Sequence, residues 1–225
     1  RNGLDTLLET DESIYLIGED IGEPYGGAFK VTKGLSVKYP GKLIQTPMSE
    51  QAFTGMAIGM ALNGLKPIVE IMFGDFITLT VDQIVNHLTK FVQLYDEKLS
   101  FVMRAPSGGY RGYGATHSQS LERLFFGIPG IKVISPSVLH APNTLLTNAV
   151  NCQYPIFFVE NKLDYARKIY TTDDVIEEII GIKQLTDSDF PIFKTFVMDE
   201  EPEITVIAYG GMVKKAMEIQ EQLYM

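Results

Sequence analysis

Glu50 opens the stretch of this chain best suited to proton chemistry. It stands in Thr46-Pro47-Met48-Ser49-Glu50-Gln51-Ala52-Phe53-Thr54-Gly55-Met56. Pro47 ends a strand, and Ser49 is a favourable N-cap for the helix that follows. Glu50 then lies in a first helical turn just beyond the carboxyl end of a parallel strand, where open α/β sheets form their ligand crevices. An acidic residue in a first turn often only complements the helix dipole. Here Met48, Phe53 and Met56 surround it with apolar side chains, and Gly55 with Gly59 offers a small face on which another helix can pack. A carboxyl group in such company can share a proton with a ring nitrogen, as general acid-base catalysis requires.

A second chemical candidate is the loop Ser107-Gly108-Gly109-Tyr110-Arg111-Gly112-Tyr113-Gly114-Ala115-Thr116-His117, with four glycines in eleven residues. Such a loop can approach a ligand closely. It is no phosphate cradle, because no Gly-Lys-Ser or Gly-Lys-Thr follows and its spacing fits no nucleotide fingerprint. It ends at His117, and a lone loop histidine is commonly just solvated. His87 and His140 have no partners at metal-ligand spacing, so no metal site is expected. Glu19, after the first strand, falls at the same carboxyl edge as Glu50.

The elements that must hold these residues alternate in period. Short β-branched and aliphatic runs at 14–18, 42–46, 67–73, 100–104, 132–135 and 155–160 read as strands. Helical periods fall at about 29–39, 49–63, 76–95, 121–126 and 139–151, after an N-terminal helical tail. The pattern predicts a doubly wound, mostly parallel α/β sheet in a domain over 1–162. Residues 163–202, rich in Asp, Glu, Lys and Thr, read as a linker with a short amphipathic piece at 175–180. A strand at 204–209, a Gly210-Gly211 turn and a helix at 212–223 then open a second α/β unit over 203–225. Both ends read as cut from a longer chain.

Composition narrows the partners. With 28 acidic against 19 basic residues the net charge is −9, which repels phosphate backbones and anionic lipid, so neither nucleic acid nor membrane is an expected partner. No apolar run reaches the roughly 18 residues of a membrane span. Cys152 is alone, which excludes a disulfide framework within the chain and favours a reducing compartment.

Six phrases in order carry a specific resemblance: Gly18-Glu19-Asp20-Ile21-Gly22, Tyr25-Gly26-Gly27-Ala28-Phe29, Thr46-Pro47-Met48-Ser49-Glu50, Gly64-Leu65-Lys66-Pro67, Asp82-Gln83-Ile84 and His117-Ser118-Gln119-Ser120. In this order and at similar spacing they resemble beta subunits of thiamine diphosphate-dependent 2-oxo acid dehydrogenases acting on pyruvate or branched-chain acids. The resemblance implies a transketolase-like pyrimidine-binding domain followed by a transketolase C-terminal domain. It implies that Glu50 hydrogen-bonds the aminopyrimidine of thiamine diphosphate, that Phe76 and Met48 pack on that ring, and that Glu19 belongs to a hydrogen-bonded network linking two active sites. His117 would assist acyl transfer to a lipoyl group. The magnesium signature of such enzymes, Gly-Asp-Gly, is replaced by Gly74-Asp75-Phe76. The resemblance therefore implies that an alpha subunit holds Mg2+ and the diphosphate, in a two-alpha, two-beta heterotetramer whose acyl product passes to a lipoyl domain of an acyltransferase. An acetoin dehydrogenase subunit, a ketolase-type enzyme and a non-catalytic scaffold of the same fold are the alternatives. The compartment would be cytoplasm in a bacterium or mitochondrial matrix in a eukaryote.

Overall fold

The six aliphatic runs pair side by side, all in the same direction. In the computed structural model, which describes residues 1–224, they are β1 (Ile14–Glu19), β2 (Leu43–Thr46), β3 (Lys66–Glu70), β4 (Val102–Ser107), β5 (Lys132–Ile134) and β6 (Ile156–Asn161). Their order across the sheet is β2-β1-β3-β4-β6-β5, every neighbouring pair parallel. Strands buried on both faces need apolar side chains on both, so β4 and β6 show continuous burial rather than alternation. The doubly wound parallel α/β expectation is met.

Helices cover the two faces with separate cores. One face carries α3 (Glu50–Leu62) and the segment between β3 and β4, with Phe53, Ala57, Ile58, Ile77, Ile84 and Leu88 packed on Ile17, Val69, Met103 and Phe157. The other carries α1 (Asn2–Thr10), α2 (Leu35–Lys38) and α5 (Pro142–Asn151), whose Leu4, Leu8, Leu35, Leu145 and Val150 pack on Leu16, Ile68 and Phe158. Pro142 starts α5 well, since its missing N–H is an orphan at that position in any helix. From β1 the chain first moves outward to β2 and then returns across it to β3. That reversal puts the topological switch point between β1 and β3, and ligands in such sheets bind beyond the carboxyl ends there.

Several elements differ from the sequence reading. Of the expected helix at 29–39 only Leu35–Lys38 forms, because Gly34 precedes it in a left-handed conformation (φ 85°) and Thr32 ties the loop down through Oγ1 to the Ile21 carbonyl at 2.8 Å. The single helix expected at 76–95 is three pieces: a 3-10 helix Gly74–Thr80, a π-helix Gln83–Leu88, and α4 (Thr89–Tyr95). Gln83 meets the small face of α3, where a Cβ on Gly55 would come within 2.8 Å of its Oε1, while Gly59 faces open space. The segment expected to be a linker contains an antiparallel hairpin, β7 (Ile180–Gln184) with β8 (Phe193–Val197). Ile180 and Ile182 bury against Val138, Leu139 and Met217, so hydrophobic burial overrides the polar composition. The amphipathic piece at 175–180 forms a bridge between Ile176 and Ile180 instead of a helix. Residues 204–209 form no strand among the described residues: Ile207 is 93% exposed, and a strand without a neighbour cannot satisfy its ladder. The helix after Gly210-Gly211 is present as α6 (Met212–Tyr224); Met225 lies outside the described residues.

Candidate functional site

Three loops converge at the carboxyl edge around the switch point. After β2, Ser49 takes the N-cap position of α3 without a side-chain hydrogen bond to the helix, and Glu50 is the first helical residue, 8% exposed. The Glu50 carboxylate makes no hydrogen bond within the described residues, although the residue is buried. A charged or polar group in that state is suited to an external donor. Glu19, the last residue of β1, lies close enough that its carboxyl is pushed up in pKa, first by burial and then by the charges of Glu50 and Asp20.

Aromatic side chains form the wall beside them. Phe76, in the 3-10 turn after β3, packs against the core that contains Phe53 of α3. Its ring meets His117 edge-on at 5.5 Å between centroids, and Phe73 meets His117 at 4.7 Å. Phe73 also contacts Phe29 at 5.8 Å and Tyr113 at 5.8 Å, so loops after β1, β3 and β4 share one aromatic cluster. The glycine-rich loop and the turn at Phe76 therefore bring His117 to the same edge as Glu50. Met48 does not join this wall within the chain, being 80% exposed.

Sequence reasoning passed over several members of the site. Phe73 is the hub of the aromatic cluster, and the run Phe73-Gly74-Asp75-Phe76 at a carboxyl edge was the available signal. Asp75 accepts hydrogen bonds at Oδ1 from Gln119 N (3.1 Å) and Gln119 Nε2 (3.0 Å). Lys162, just past β6, is fully buried and donates to the His117 carbonyl. Nothing in the local sequence marks Lys162 as buried. The other two histidines hold structural positions: His140 accepts at Nδ1 from Ser137 N and donates at Nε2 to the Pro191 carbonyl, and burial lowers its pKa. His87 lies 3.7 Å from Asp82 on the surface. No group of three metal-ligating side chains occurs among the described residues.

On the opposite layer Arg104 of β4 is buried between Glu70 and Glu160, which it bridges through Nη1 and Nη2. Against the desolvation of burial, the two carboxylates keep the guanidinium charged, and burial pushes Glu70 up in pKa despite the arginine. A cavity of about 480 Å3 opens there, lined by Arg1, Arg104, Ser137, His140, Glu160 and Tyr165. Neither Glu50 nor His117 borders it.

An open parallel sheet with an acidic helix start and an aromatic wall at its switch point defines an α/β fold with a candidate ligand-binding edge. The chain belongs to the family described as transketolase, pyrimidine binding domain, which matches residues 1–168. It is 34% identical over 226 residues to the pyruvate dehydrogenase E1 component subunit beta-2, mitochondrial, of Oryza sativa subsp. japonica, covering 99% of this chain and 58% of that one. It is 34% identical over 221 residues to the pyruvate dehydrogenase E1 component subunit beta, mitochondrial, of Mus musculus, covering 97% and 59%, and 37% identical over 215 residues to the pyruvate dehydrogenase E1 component subunit beta of Porphyra purpurea, covering 94% and 61%. The chain thus spans about three-fifths of the length of these relatives. Among solved structures it resembles a split-gene transketolase, an inactive beta4 tetramer, with a TM-score of 0.57 and 19% identity over 78% of this chain and 54% of that one, a likeness of fold. No helix is long and apolar enough to cross a membrane among the described residues.

Proposed function

We propose that this chain is the pyrimidine-side part of the beta subunit of a thiamine diphosphate-dependent 2-oxo acid dehydrogenase, acting with an alpha subunit. The observation that carries the reading is Glu50, a largely buried residue whose carboxylate has no partner within the described residues, at the switch point of the sheet and near enough to Glu19 to raise its pKa. That environment fits an aminopyrimidine ring. Glu50, when protonated, would donate a hydrogen bond to a ring nitrogen, and Phe76 would supply an apolar wall beside it. Thiamine diphosphate, when bound, supplies the electron sink that lets a 2-oxo acid lose carbon dioxide. Glu50 would hold and return the proton that the ring exchanges. Glu19 would pass charge between paired sites, and His117, at the mouth of the edge, would assist transfer of the acyl group to a lipoyl domain. Met48, exposed in the isolated chain, would be covered when the ring and the partner close over it.

Met48, 80% exposed two residues before Glu50, supports a site completed by another chain. Mg2+ and the diphosphate would be held by the alpha subunit, since Gly74-Asp75-Phe76 lacks the second glycine of the usual signature and Asp75 is engaged with Gln119. The assembly would be two alpha and two beta chains, with a C-terminal domain beginning near residue 203. The compartment would be mitochondrial matrix in a eukaryote, as in the names of the rice and mouse relatives, or bacterial cytoplasm.

The test is to co-express the full-length chain with its alpha subunit and follow reduction of an artificial electron acceptor by pyruvate and by branched-chain 2-oxo acids. Turnover is expected only with both chains, thiamine diphosphate and Mg2+. Glu50→Gln should assemble and melt normally but lose at least about 100-fold in turnover, because an amide cannot exchange the proton. Full activity in that variant overturns the role of Glu50. Stable assembly of the wild type without any cofactor-dependent turnover would point to a scaffold subunit instead.

A further inference from the structure

Lys162 is 0% exposed, and among the described residues no carboxylate lies within ion-pair distance of its ammonium. A buried charge without a counter-ion is rare unless something at the site needs it. Burial lowers the pKa of this lysine, the Asp75 carboxylate opposes that shift, and Arg111 adds to it. Its Nζ donates to the His117 carbonyl and lies 5.1 Å from the Phe73 ring centre and 5.9 Å from that of Tyr113. Phe73 is the ring against which His117 packs edge-on at 4.7 Å. Lys162 therefore touches the histidine's backbone and the aromatic wall that supports its imidazole.

Asp75 grips the same segment two residues further on, through Gln119 N and Nε2 to Oδ1, while its Oδ2 is buried without a partner. A cation on a carbonyl and an anion on an N–H match the polarity of the backbone at both points. The loop needs such anchoring. Gly108, Gly112 and Gly114 all have positive φ (92°, 76° and 75°), and its backbone ties, Gly108 N to Gln119 O and His117 N to Gly114 O, lie towards its two ends. An apolar side chain at 162 would fill the space at lower desolvation cost, but it would leave the His117 carbonyl without its donor.

We propose that Lys162 is a positioning residue which, with Asp75, clamps the segment His117–Gln119 and so fixes the His117 imidazole at the mouth of the site. The inference rests on the role given to His117 above, but its structural part can be tested without it. Lys162→Met and Lys162→Arg would be made in the full-length chain, alone and with the alpha subunit. In Lys162→Met, amide hydrogen exchange over 109–119 should rise about tenfold or more while the sheet strands keep wild-type protection. In the assembled enzyme, acyl transfer to free lipoamide should fall at least about tenfold, with reduction of an artificial acceptor changed by less than about threefold. Lys162→Arg, which keeps a donor, should recover most of the transfer. Unchanged exchange over 109–119, or parallel loss of both reactions in a folded variant, overturns the clamp. If wild-type enzyme shows no thiamine-dependent turnover, the proposed function fails, and the exchange measurement alone decides the clamp. Should Lys162→Met not fold, Asp75→Ala takes its place: it removes the acceptor of both Gln119 hydrogen bonds, and unchanged exchange over 109–119 in that variant refutes the inference.

Discussion

Replacing Arg104 by methionine should destabilise the fold in a way that depends on pH, and the size follows from its two partners. Arg104 bridges Glu70 and Glu160 inside the sheet, with Glu70 almost wholly buried. Methionine fills much of the volume but leaves the buried Glu70 and the partly buried Glu160 carboxylates without their shared cation. The cheapest relief is for one of them to take a proton, which at pH 7, for a carboxyl with an ordinary value of 4.5, costs about 1.36 × (7 − 4.5), roughly 3.4 kcal/mol. The same proton at pH 5 costs about 0.7 kcal/mol. Burial already pushes the folded Glu70 upward, and losing the arginine pushes it further. A carboxyl whose folded pKa lies above its unfolded one destabilises the folded state increasingly as pH rises above the unfolded value, and the loss is regained as pH falls. The expected penalty is thus about 3 kcal/mol at pH 7 and about 1 kcal/mol at pH 5, within the range for breaking a buried ion pair. Urea unfolding of the full-length chain, followed by far-UV circular dichroism at pH 5, 6 and 7, measures it. Adding Glu70→Gln to the variant should recover most of the loss at pH 7. A penalty that does not change with pH, or no recovery in the double variant, would refute the assignment of the loss to orphaned carboxylates.

Two smaller perturbations test the frame that holds the site. In Gly18→Ala the new Cβ would meet the Glu70 carbonyl oxygen at 2.6 Å across the β1–β3 ladder, so a loss of at least about 2 kcal/mol is expected in thermal or urea unfolding; a loss under about 0.5 kcal/mol would contradict this close approach. Asp11, whose pKa is lowered to about 2 chiefly by its hydrogen bond from Lys66, then by Ser13, contributes stability that is present above its ordinary value of 3.8 and fades as pH falls through about 2. Asp11→Asn should therefore cost about 1 kcal/mol at pH 7, after solvent screening of a partly exposed pair, and almost nothing at pH 2. An equal cost at both pH values would assign the effect to packing.

The periodicity of the sequence was enough to find all six parallel strands and α3; the four central strands stand out because burial on both faces requires nearly continuous apolar runs, and the edge strands β2 and β5 through their short aliphatic runs. It also brought out Glu50, whose place follows from local rules: a strand, a proline, a capping serine, then a helix. Where local signals compete with packing, the tertiary structure decided. The hairpin Ile180–Val197 sits in a polar stretch and exists because Ile180 and Ile182 find Met217 and Val138 to bury against. Residues 204–209 have the composition of a strand, yet form none without a neighbour to pair with. Which side chains share the site was likewise a matter of topology. Glu19 and Glu50 are 31 positions apart and meet only because β1 and β2 are adjacent and parallel. Lys162 and Asp75 act on the His117 loop from two different strand ends, and such charges are invisible to sequence patterns because their value depends on burial, which is a property of the assembled fold.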